Sequence, residues 1–465
     1  MIKFRKEEIM KKLLLTFLTG VLAVVFCTAV FAGCSHRSPS TEGGEIGEVD
    51  PGKTITLYIE SAAPLKYNYL SLLKSEPEGS QTYNQALFTK KLVEGFKEKY
   101  PNISLRFIED GWGDALWQQQ QLYIRSYQQG TKPQPDILIG EIYMNYLSKN
   151  GVFIALDTDK FAHVLEGPYG DMVVNGNTYG VPMCTGLMGL QYNAAILQEA
   201  GIPEADWEPE TWAELLENCK KVSEYAAANN KGYGGIVLNN VKGQSSAYRA
   251  LPFMRAAGGD FLDNAGAFDL DSEENVKAFT FLRSLAQYAY ADSLSETNED
   301  TLQYLFNNGK GAYFIEGQWS MISANDNIRS CKLPSSNEGG VGNCYVGNVL
   351  FGIAKWSNNA AAAQAFLEYL TSAEIQEELY KLDGRLPVNK DYLGGTDIRQ
   401  VQSNMNSYID AMLAGGFAGG LPSISQNSTT IWEKWGNFYS SVLTASDNIA
   451  ALAKSASDSI NSDLK

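Results

Sequence analysis

The sequence predicts an α/β protein in which a mostly parallel sheet is flanked by helices. Two observations carry this prediction. Residues 53–151 alternate between short apolar strands and amphipathic helices, which is typical of a parallel sheet with helices on both faces. The chain has 465 residues, of which 44% are hydrophobic and 11% aromatic. That length is sufficient for two sizeable cores and too long for a single one.

The first elements follow from the period of the apolar residues. KTITLYIES at 53–61 alternates as a strand does, and a polar insertion rich in tyrosine follows at 61–85. LFTKKLVEGFKEKYP at 87–101 has helical spacing and ends at a proline. A second strand is predicted at 102–110 and a second helix at 113–130.

A third strand, PDILIG, and a short helix complete this part of the chain at residue 151. The carboxyl ends of parallel strands meet at one edge of a sheet, and ligands gather there. Chemically useful side chains stand at or directly after the three predicted strand ends: Glu60, Asp110, Trp112 and Glu141.

Later elements repeat the same types of pattern. Thr211 and Glu214 form a capping box at the start of a helix. A glycine-rich turn leads into a strand that ends in Glu316-Gly317-Gln318-Trp319. Further helices are predicted after residue 358 and in the carboxyl-terminal tail.

Composition excludes several classes of function. The net charge is −16, which argues against binding nucleic acid or anionic lipid. The chain contains two histidines, and His36 lies in a polar linker, so a Ser-His-Asp or Cys-His site would have to use His163. A histidine-rich metal site is impossible, and we expect neither a metal nor a cofactor. Carboxylate chemistry remains open, since 53 acidic residues always offer pairs.

The amino terminus has the pattern of a secretory signal. Within residues 1–33, Lys11 and Lys12 directly precede a long apolar run with small residues at its end, and residues 34–52 read as a flexible linker. FAGC resembles a bacterial lipobox, in which the cysteine, here Cys34, is acylated and becomes the mature amino terminus. Phe31 departs from the leucine usual at that position. Plain cleavage before the lipobox glycine and an uncleaved anchor are the alternatives.

Five blocks occur in an order that resembles one family over nearly the whole mature chain. They are LVEGFKEKYPNISLRFIE, GTKPQPDILIG, VNGNTYGVP followed by LQYNAAILQEAGI and ETWAELL, GKGAYFIEGQW, and FLEYLTSAEIQEELYKLDGRLPVNK. They resemble the extracellular solute-binding proteins of ABC importers, in particular the carbohydrate-binding, maltose-binding-like group. One position departs from the pattern, because Gly186 stands where maltose-type relatives have a glutamate. That difference argues against maltose itself as the ligand.

The resemblance implies a two-lobed periplasmic-binding-protein fold, in which each lobe is a mostly parallel sheet flanked by helices and the ligand cleft lies at the hinge. Lobe 1 would comprise residues 53–182 and 340–387, and lobe 2 residues 186–330 and 388–465. The implied protein is a non-catalytic, monomeric receptor outside the cytoplasm, attached to the membrane only through the lipid on its amino terminus. It would bind a carbohydrate, expected to be an oligosaccharide, and deliver it to the membrane permease.

On this pattern, particular residues are expected to line the cleft. Flat aromatic rings suit the C–H faces of a pyranose, and planar polar side chains suit its hydroxyl groups. The stacking candidates are Trp112, Trp319 and Trp432. The polar candidates are Glu60, Asp110, Glu141, Glu316, Gln318, Asn348 and Arg385.

Each assignment has a structural alternative. Trp112 and Trp432 suit a core equally well, Glu141 suits a helix cap, and Arg385 could bridge the lobes. Two further functions also remain open for the whole chain: the same fold binding a peptide or polyamine, and a secreted glycoside hydrolase that uses a carboxylate pair.

Cysteine is sparse after the signal. Exported chains meet oxidising conditions, so Cys331 and Cys344, which enclose a short loop, could form a disulfide. Two unpaired, packed cysteines are the equal alternative. The expected crossings between the lobes, at 182–187 and 327–340, place these two cysteines around a hinge strand.

Overall fold

The computed structural model describes residues 46–61, 64–112, 114–141, 143–415, 419–422 and 428–464. Within them the strands are β1 Ile55–Ser61, β2 Ile103–Glu109, β3 Ile137–Gly140, β4 Val173–Val174, β5 Asn177–Thr178, β6 Val181–Asn193, β7 Gly234–Val237, β8 Gly311–Gly317, β9 Ile328–Cys331, β10 Tyr345–Ile353 and β11 Leu386–Pro387.

The α-helices of the same residues are α1 Tyr69–Ser75, α2 Gln81–Lys99, α3 Asp114–Gln128, α4 Met144–Lys149, α5 Ala194–Glu199, α6 Trp212–Ala228, α7 Gln244–Ala256, α8 Glu273–Ala286, α9 Glu299–Asn307, α10 Ala360–Leu370, α11 Ala373–Asp383, α12 Lys390–Leu393, α13 Ile398–Val401, α14 Asn406–Ala414, α15 Ser428–Thr444 and α16 Ile449–Asp463. None of these helices is long and apolar enough to cross a membrane.

The first three strands form a parallel group, which confirms the sequence prediction for this part of the chain. β1 lies between β2 and β3 and pairs in parallel with both. Leu57 and Ile59 of β1 are completely buried. The helix that connects β1 to β2 packs Phe88, Leu92 and Phe96 into the same core. Helical spacing therefore identified the buried face of α2.

The centre of the sheet is antiparallel. The sequence predicted mostly parallel sheets and did not predict these antiparallel pairs. The strand order is β2-β1-β3-β10-β6-β8-β7. β10 pairs antiparallel with β3 and β6, and β8 pairs antiparallel with β6 before β7 restores a parallel pair. Antiparallel neighbours need no crossover helix, so the long strands β6 and β10 can lie side by side.

β6 joins two sets of partners. Its residues 181–187 pair with β10, and its residues 188–192 pair with β8. All of its positions are buried. The expected crossing at 182–187 is therefore part of one uninterrupted strand. Short β11 and β9 pair with β6 as well.

Helix caps match the sequence signals where these were clear. The hydroxyl of Thr211 accepts a hydrogen bond from Glu214 N, and the Glu214 side chain accepts one from Thr211 N. This confirms the predicted capping box of α6. α2 begins earlier than predicted because Ser80 caps it through Tyr83 N. The polar insertion before it contains α1, whose residues are all at least partly exposed.

The apolar side chains of the described residues form two large cores, a third between segments of both, and a smaller fourth that contains Leu138 and Trp356. One core contains residues of α2, β1 and α10, and the other contains residues of α6, α7, α8 and α15. The third includes Leu187, Phe314, Tyr380 and Tyr408. Tyr380 falls in the predicted lobe 1 and Phe314 in the predicted lobe 2, so the two regions share packing beside β6.

Candidate ligand-binding site

Glu60 is the buried centre of a polar cluster at the carboxyl end of β1. Its carboxyl oxygen Oε2 accepts hydrogen bonds from Gln120 Nε2 at 2.6 Å and from Ile139 N at 3.0 Å. Gln120 lies on α3 and also donates to Ile139 O at 2.7 Å. Glu60 and Gln120 are both 0% exposed. The side chain of Glu60 therefore ties β1 to β3 and α3 and has no open surface of its own.

Two further predicted residues lie close to Glu60. The carboxylate of Asp110 accepts a hydrogen bond from Tyr123 Oη at 2.9 Å, and its charge acts on Glu60. The phenol of Tyr143 interacts with the charges of both Glu60 and Glu141. The structure thus brings together the three carboxyl groups that were predicted at the ends of the first three strands.

Burial shifts the pKa values of two members of this cluster. It raises the pKa of Glu60 well above the ordinary value of 4.5, and the nearby Asp110 adds to the rise. Burial also raises the pKa of Tyr143. Glu60 Oε1, Gln120 Oε1 and Tyr143 Oη are buried without a hydrogen-bond partner among the described residues. A neutral carboxyl group, an amide oxygen and a phenol are all suited to pair with hydroxyl groups.

Aromatic rings border the cluster. The ring centroids of Trp117 and Tyr143 lie 5.2 Å apart, and those of Trp117 and Tyr146 lie 5.9 Å apart. Trp112, which follows β2, is 41% exposed. Sequence reasoning identified Trp112 but missed Trp117 and Tyr143. The signal was their place in the segments that follow two strands: Trp117 lies in the first turn of α3 after β2, and Tyr143 lies shortly after β3.

A second group surrounds the end of β8, where Glu316 is paired with a residue that sequence reasoning missed. Arg249 Nη2 lies 2.5 Å from Glu316 Oε1 and 2.7 Å from Oε2, and each side chain is 4% exposed. Arg249 belongs to α7, an otherwise mostly apolar helix. Burial raises the pKa of Glu316, and the positive charge of Arg249 opposes that rise. Glu316 is thus an internal partner of Arg249.

Trp319 lies directly after this ion pair and is only partly buried. A Cβ atom added to Gly317 would lie 2.2 Å from the Trp319 ring, and one added to Gly186 would lie 2.8 Å from it. The ring therefore packs against bare backbone. The guanidinium carbon of Arg249 lies 5.9 Å from the ring centroid. This packing gives Gly186 a local structural reason, since a Cβ there would also lie 2.3 Å from Val346 O.

The side chains of Gln318 and Asn348 are buried and make hydrogen bonds within the protein. Gln318 Oε1 accepts from Leu187 N at 3.0 Å, and its Nε2 donates to Thr185 O at 3.2 Å. Asn348 Oδ1 accepts from the Thr185 hydroxyl. Gln318 is 1% exposed and Asn348 is 6% exposed. Both side chains therefore fix the middle of β6.

Arg385 lies on the side of β6 where β11 pairs with it. Its Nε donates to Asp383 Oδ2 at 2.6 Å, and Asp383 also accepts from Gln85 Nε2 at 2.7 Å. The Arg385 side chain is 22% exposed, whereas that of Asp383 is 0% exposed. The guanidinium is thus anchored at one end and remains accessible.

Trp432 does not join either group. It is 4% exposed, and it packs edge-on against Phe261 and Phe268 with ring centroids 5.7 and 6.4 Å away. The stacking role assigned to it from sequence is therefore replaced by core packing. Helical spacing places a tryptophan on a buried face without distinguishing a core from a cleft.

The remaining sequence predictions concern the cysteines, His163 and metal binding. Cys34 lies outside the described residues. Cys331 and Cys344 are both buried free thiols in the structure, which corresponds to the alternative of two unpaired cysteines. His163, the one histidine available for catalysis, has its Nε2 2.9 Å from the Thr371 hydroxyl. The described part of the chain contains no group of three or more His, Cys, Asp or Glu suited to a metal ion.

Comparison with known proteins identifies relatives of this chain. The family model described as bacterial extracellular solute-binding protein matches residues 91–406. An arabinooligosaccharide-binding protein of Halalkalibacterium halodurans is 27% identical over 249 residues, 50% of this chain and 52% of the relative. A maltooligosaccharide ABC transporter solute-binding lipoprotein of Streptococcus pneumoniae is 24% identical, over 56% of this chain and 59% of the relative. The match thus spans about half the length of these relatives.

Solved structures share the fold at low sequence identity. Maltose-bound MalE3 of T. maritima has a TM-score of 0.67 at 20% identity, with 87% of this chain and 99% of that chain covered. UgpB of Mycobacterium tuberculosis in complex with glycerophosphocholine also has a TM-score of 0.67, at 19% identity, with 83% and 97% covered. The fold is therefore the α/β periplasmic-binding-protein fold. Because these two proteins hold different ligands, the fold alone does not identify the ligand of this chain.

Proposed function

Because this chain belongs to the bacterial extracellular solute-binding proteins, we propose that it captures a sugar or oligosaccharide and delivers it to the membrane permease of an ABC importer. The family is one of binding proteins without catalytic activity, which excludes the glycoside hydrolase alternative. The names of the two relatives above, which bind arabino- and maltooligosaccharides, support a saccharide.

One observation is the main support for a sugar as the ligand: a tryptophan ring packs against the glycine backbone beside β6, the strand that crosses between the lobes. Trp319 is partly accessible, and the backbone of Gly317 and Gly186 lies against its ring. A flat, rigidly supported indole suits the C–H face of a sugar ring. Arg249 supports the same indole and is itself fixed by Glu316. The ring is therefore pre-organised, which reduces the entropy lost when a ligand binds.

The protonation of Glu60 favours a sugar over a polyamine. A cationic solute would be matched by buried, ionised carboxylates. Burial instead raises the pKa of Glu60 well above its ordinary value, which favours the neutral acid. A neutral acid buried beside the amide of Gln120 supplies no counter-ion for a polyamine.

Accessibility separates ligand contacts from supporting residues. We assign direct ligand contact to the predicted residues that are at least partly exposed, which are Asp110, Trp112, Glu141, Trp319 and Arg385. The buried members of the set position these contacts, and they are Glu60, Glu316, Gln318 and Asn348.

The two lobes complete the proposal. Their boundaries are those expected from the sequence, and β6 provides the first crossing between them. Closure of the lobes around the ligand would form the state that the permease recognises. In this proposal the protein is a monomer, tethered outside the cytoplasm by a lipid on Cys34. Exchange of that cysteine for serine should release the protein into the soluble fraction, and its retention on the membrane would contradict the tether.

A thermal-shift screen tests the proposed ligand class, because a ligand that binds the folded state raises the melting temperature. The panel contains arabino- and malto-oligosaccharides, monosaccharides, a polyamine and a short peptide. We expect a saccharide to raise the Tm, and Trp319→Ala to abolish the increase while the protein stays folded. Tyr304→Ala is the matched control, because Tyr304 is 65% exposed and lies outside both groups. A shift with the polyamine or peptide alone would refute the ligand class, and a saccharide shift that survives in Trp319→Ala would refute the site.

A further inference from the structure

β9 and β10 lie end to end along one edge of β6. Ile328–Cys331 pairs with Asn193–Leu190, and Tyr345 pairs with Leu187. β8 occupies the opposite edge of β6 at residues 188–192. The chain therefore leaves this edge after Cys331, makes an excursion over residues 332–343, and returns to the same edge at Cys344.

The register places the two cysteines side by side. Cys331 is opposite Leu190, and the register of β10 continued by one residue places Cys344 opposite Met188. Positions two apart on a strand share a face, so both cysteine side chains lie on the same side of the sheet. Two residues of a strand span about 7 Å, close to the upper end of the Cα separations found in disulfides, about 4.4–6.8 Å.

The two cysteines also border the same cavity. Cys331 and Cys344 line one cavity of about 170 Å³ together with Met188 and Tyr408. The two cysteines are 5% and 3% exposed.

The excursion is packed tightly on α7. A Cβ on Gly342 would lie 1.6 Å from Pro252 O, and one on Gly340 would lie 2.1 Å from Ala256 O. Ser335 O also accepts from Trp212 N at the start of α6. The excursion is thus fixed by its own contacts, and its two ends are held where they leave the sheet.

From this geometry we propose that Cys331 and Cys344 form a disulfide in the exported protein and close residues 332–343 into a loop at its neck. One S–S bond forms, two S–H bonds break, and two electrons and two protons pass to an oxidant. The oxidant is an extracytoplasmic thiol–disulfide oxidoreductase or a small-molecule disulfide. The structure holds both cysteines as free thiols, and bond formation requires the two ends of the excursion to draw closer together.

Burial indicates when the reaction occurs. It raises the pKa of Cys344 to about 12 and the pKa of Cys331 further still. The thiolate is the reacting species, so these thiols react during folding, before the excursion packs on α7. The bond then links the end of β9 to the start of β10 beside β6, at the crossing between the two large cores.

Differential alkylation of the exported, full-length protein tests the proposal. The protein is unfolded in acid and denaturant, free thiols are blocked with N-ethylmaleimide, and the disulfides are then reduced and labelled with iodoacetamide. We expect the second label on Cys331 and Cys344, and the first label on Cys184 and Cys219, which are buried thiols in other environments. The first label on all four cysteines would overturn the proposal.

Stability provides a second readout. Reduction should lower the Tm of the wild-type protein by roughly 5 °C and leave the Tm of the Cys331→Ser/Cys344→Ser protein unchanged. An equal change in both proteins would contradict the assignment. If the double variant does not fold, the alkylation result on the wild-type protein still decides the question.

Discussion

Replacing Arg249 by methionine perturbs the buried ion pair behind Trp319. The pair has two short contacts, 2.5 and 2.7 Å, between Arg249 Nη2 and the Glu316 carboxylate, and both side chains are 4% exposed. Removing one partner of such a pair costs about 3–5 kcal/mol, because the other charge stays buried. Glu299 lies 3.5 Å from the same nitrogen but is 45% exposed, so it contributes little. We expect the free energy of unfolding to fall by about 3 kcal/mol.

The loss should depend on pH. Burial already raises the pKa of Glu316 above 4.5, and Arg249 opposes that rise, so the pKa rises further in Arg249→Met. A carboxyl group whose folded pKa exceeds its unfolded pKa makes the free energy of unfolding fall as pH rises through that interval. The variant should therefore lose less stability at pH 5 than at pH 8. Adding Glu316→Gln should restore much of the loss at pH 8.

Urea unfolding followed by circular dichroism measures these differences. Arg329→Met is the control, because Arg329 is 51% exposed and 4.0 Å from its nearest acid, Glu204; we expect a change within about 0.5 kcal/mol. A loss below about 1 kcal/mol in Arg249→Met would refute the reasoning that a buried charge is left behind. So would a double variant, Arg249→Met/Glu316→Gln, no more stable than the single one at pH 8.

Three further substitutions have defined outcomes. Gly186→Ala places a Cβ 2.3 Å from Val346 O, so it should lower the free energy of unfolding by about 1–3 kcal/mol, and an unchanged urea midpoint would contradict the close packing. Glu60→Gln removes a carboxyl with a raised pKa, so a plot of Tm against pH should decline less above pH 4.5 than in the wild type; parallel curves would show that Glu60 does not titrate in this interval. Trp432→Ala should cost about 3–5 kcal/mol and preserve the ligand-induced rise in Tm, whereas selective loss of that rise would return Trp432 to the site.

The local order of elements was predictable, and the centre of the sheet was not. Alternation and helical spacing are local signals, and they identified β1, α2, β2 and the capping box of α6. The antiparallel pairing of β10 with β6 joins residues more than 150 positions apart. No periodicity within either segment specifies that partner, since both are mostly apolar runs that suit a strand buried on two faces.

The site was predictable by residue type and only partly by accessibility. Glu316, Gln318 and Trp319 follow one another in a recognisable turn, yet Glu316 and Gln318 are buried partners of Arg249 and the β6 backbone. The sequence alone could not show whether Glu316 contacts the ligand or supports the site. The answer depends on its buried partner Arg249, which is distant in sequence and lies on α7. Arg249 offered one usable signal: a cation in a mostly apolar helix needs a buried partner.

The glycines of β6 connect ligand contact to the crossing between the cores. A Cβ on Gly186 would meet the Trp319 ring, and a Cβ on Gly189 would lie 2.5 Å from the ring of Tyr408. These positions are three apart, so the two rings approach β6 from opposite faces. Tyr408 Oη also donates to Glu316 O at 3.1 Å, which fixes the strand that leads into Trp319. In the proposed function, a sugar stacked on Trp319 would therefore act directly on the strands that link the two cores, and closure would need no separate relay between the site and the hinge.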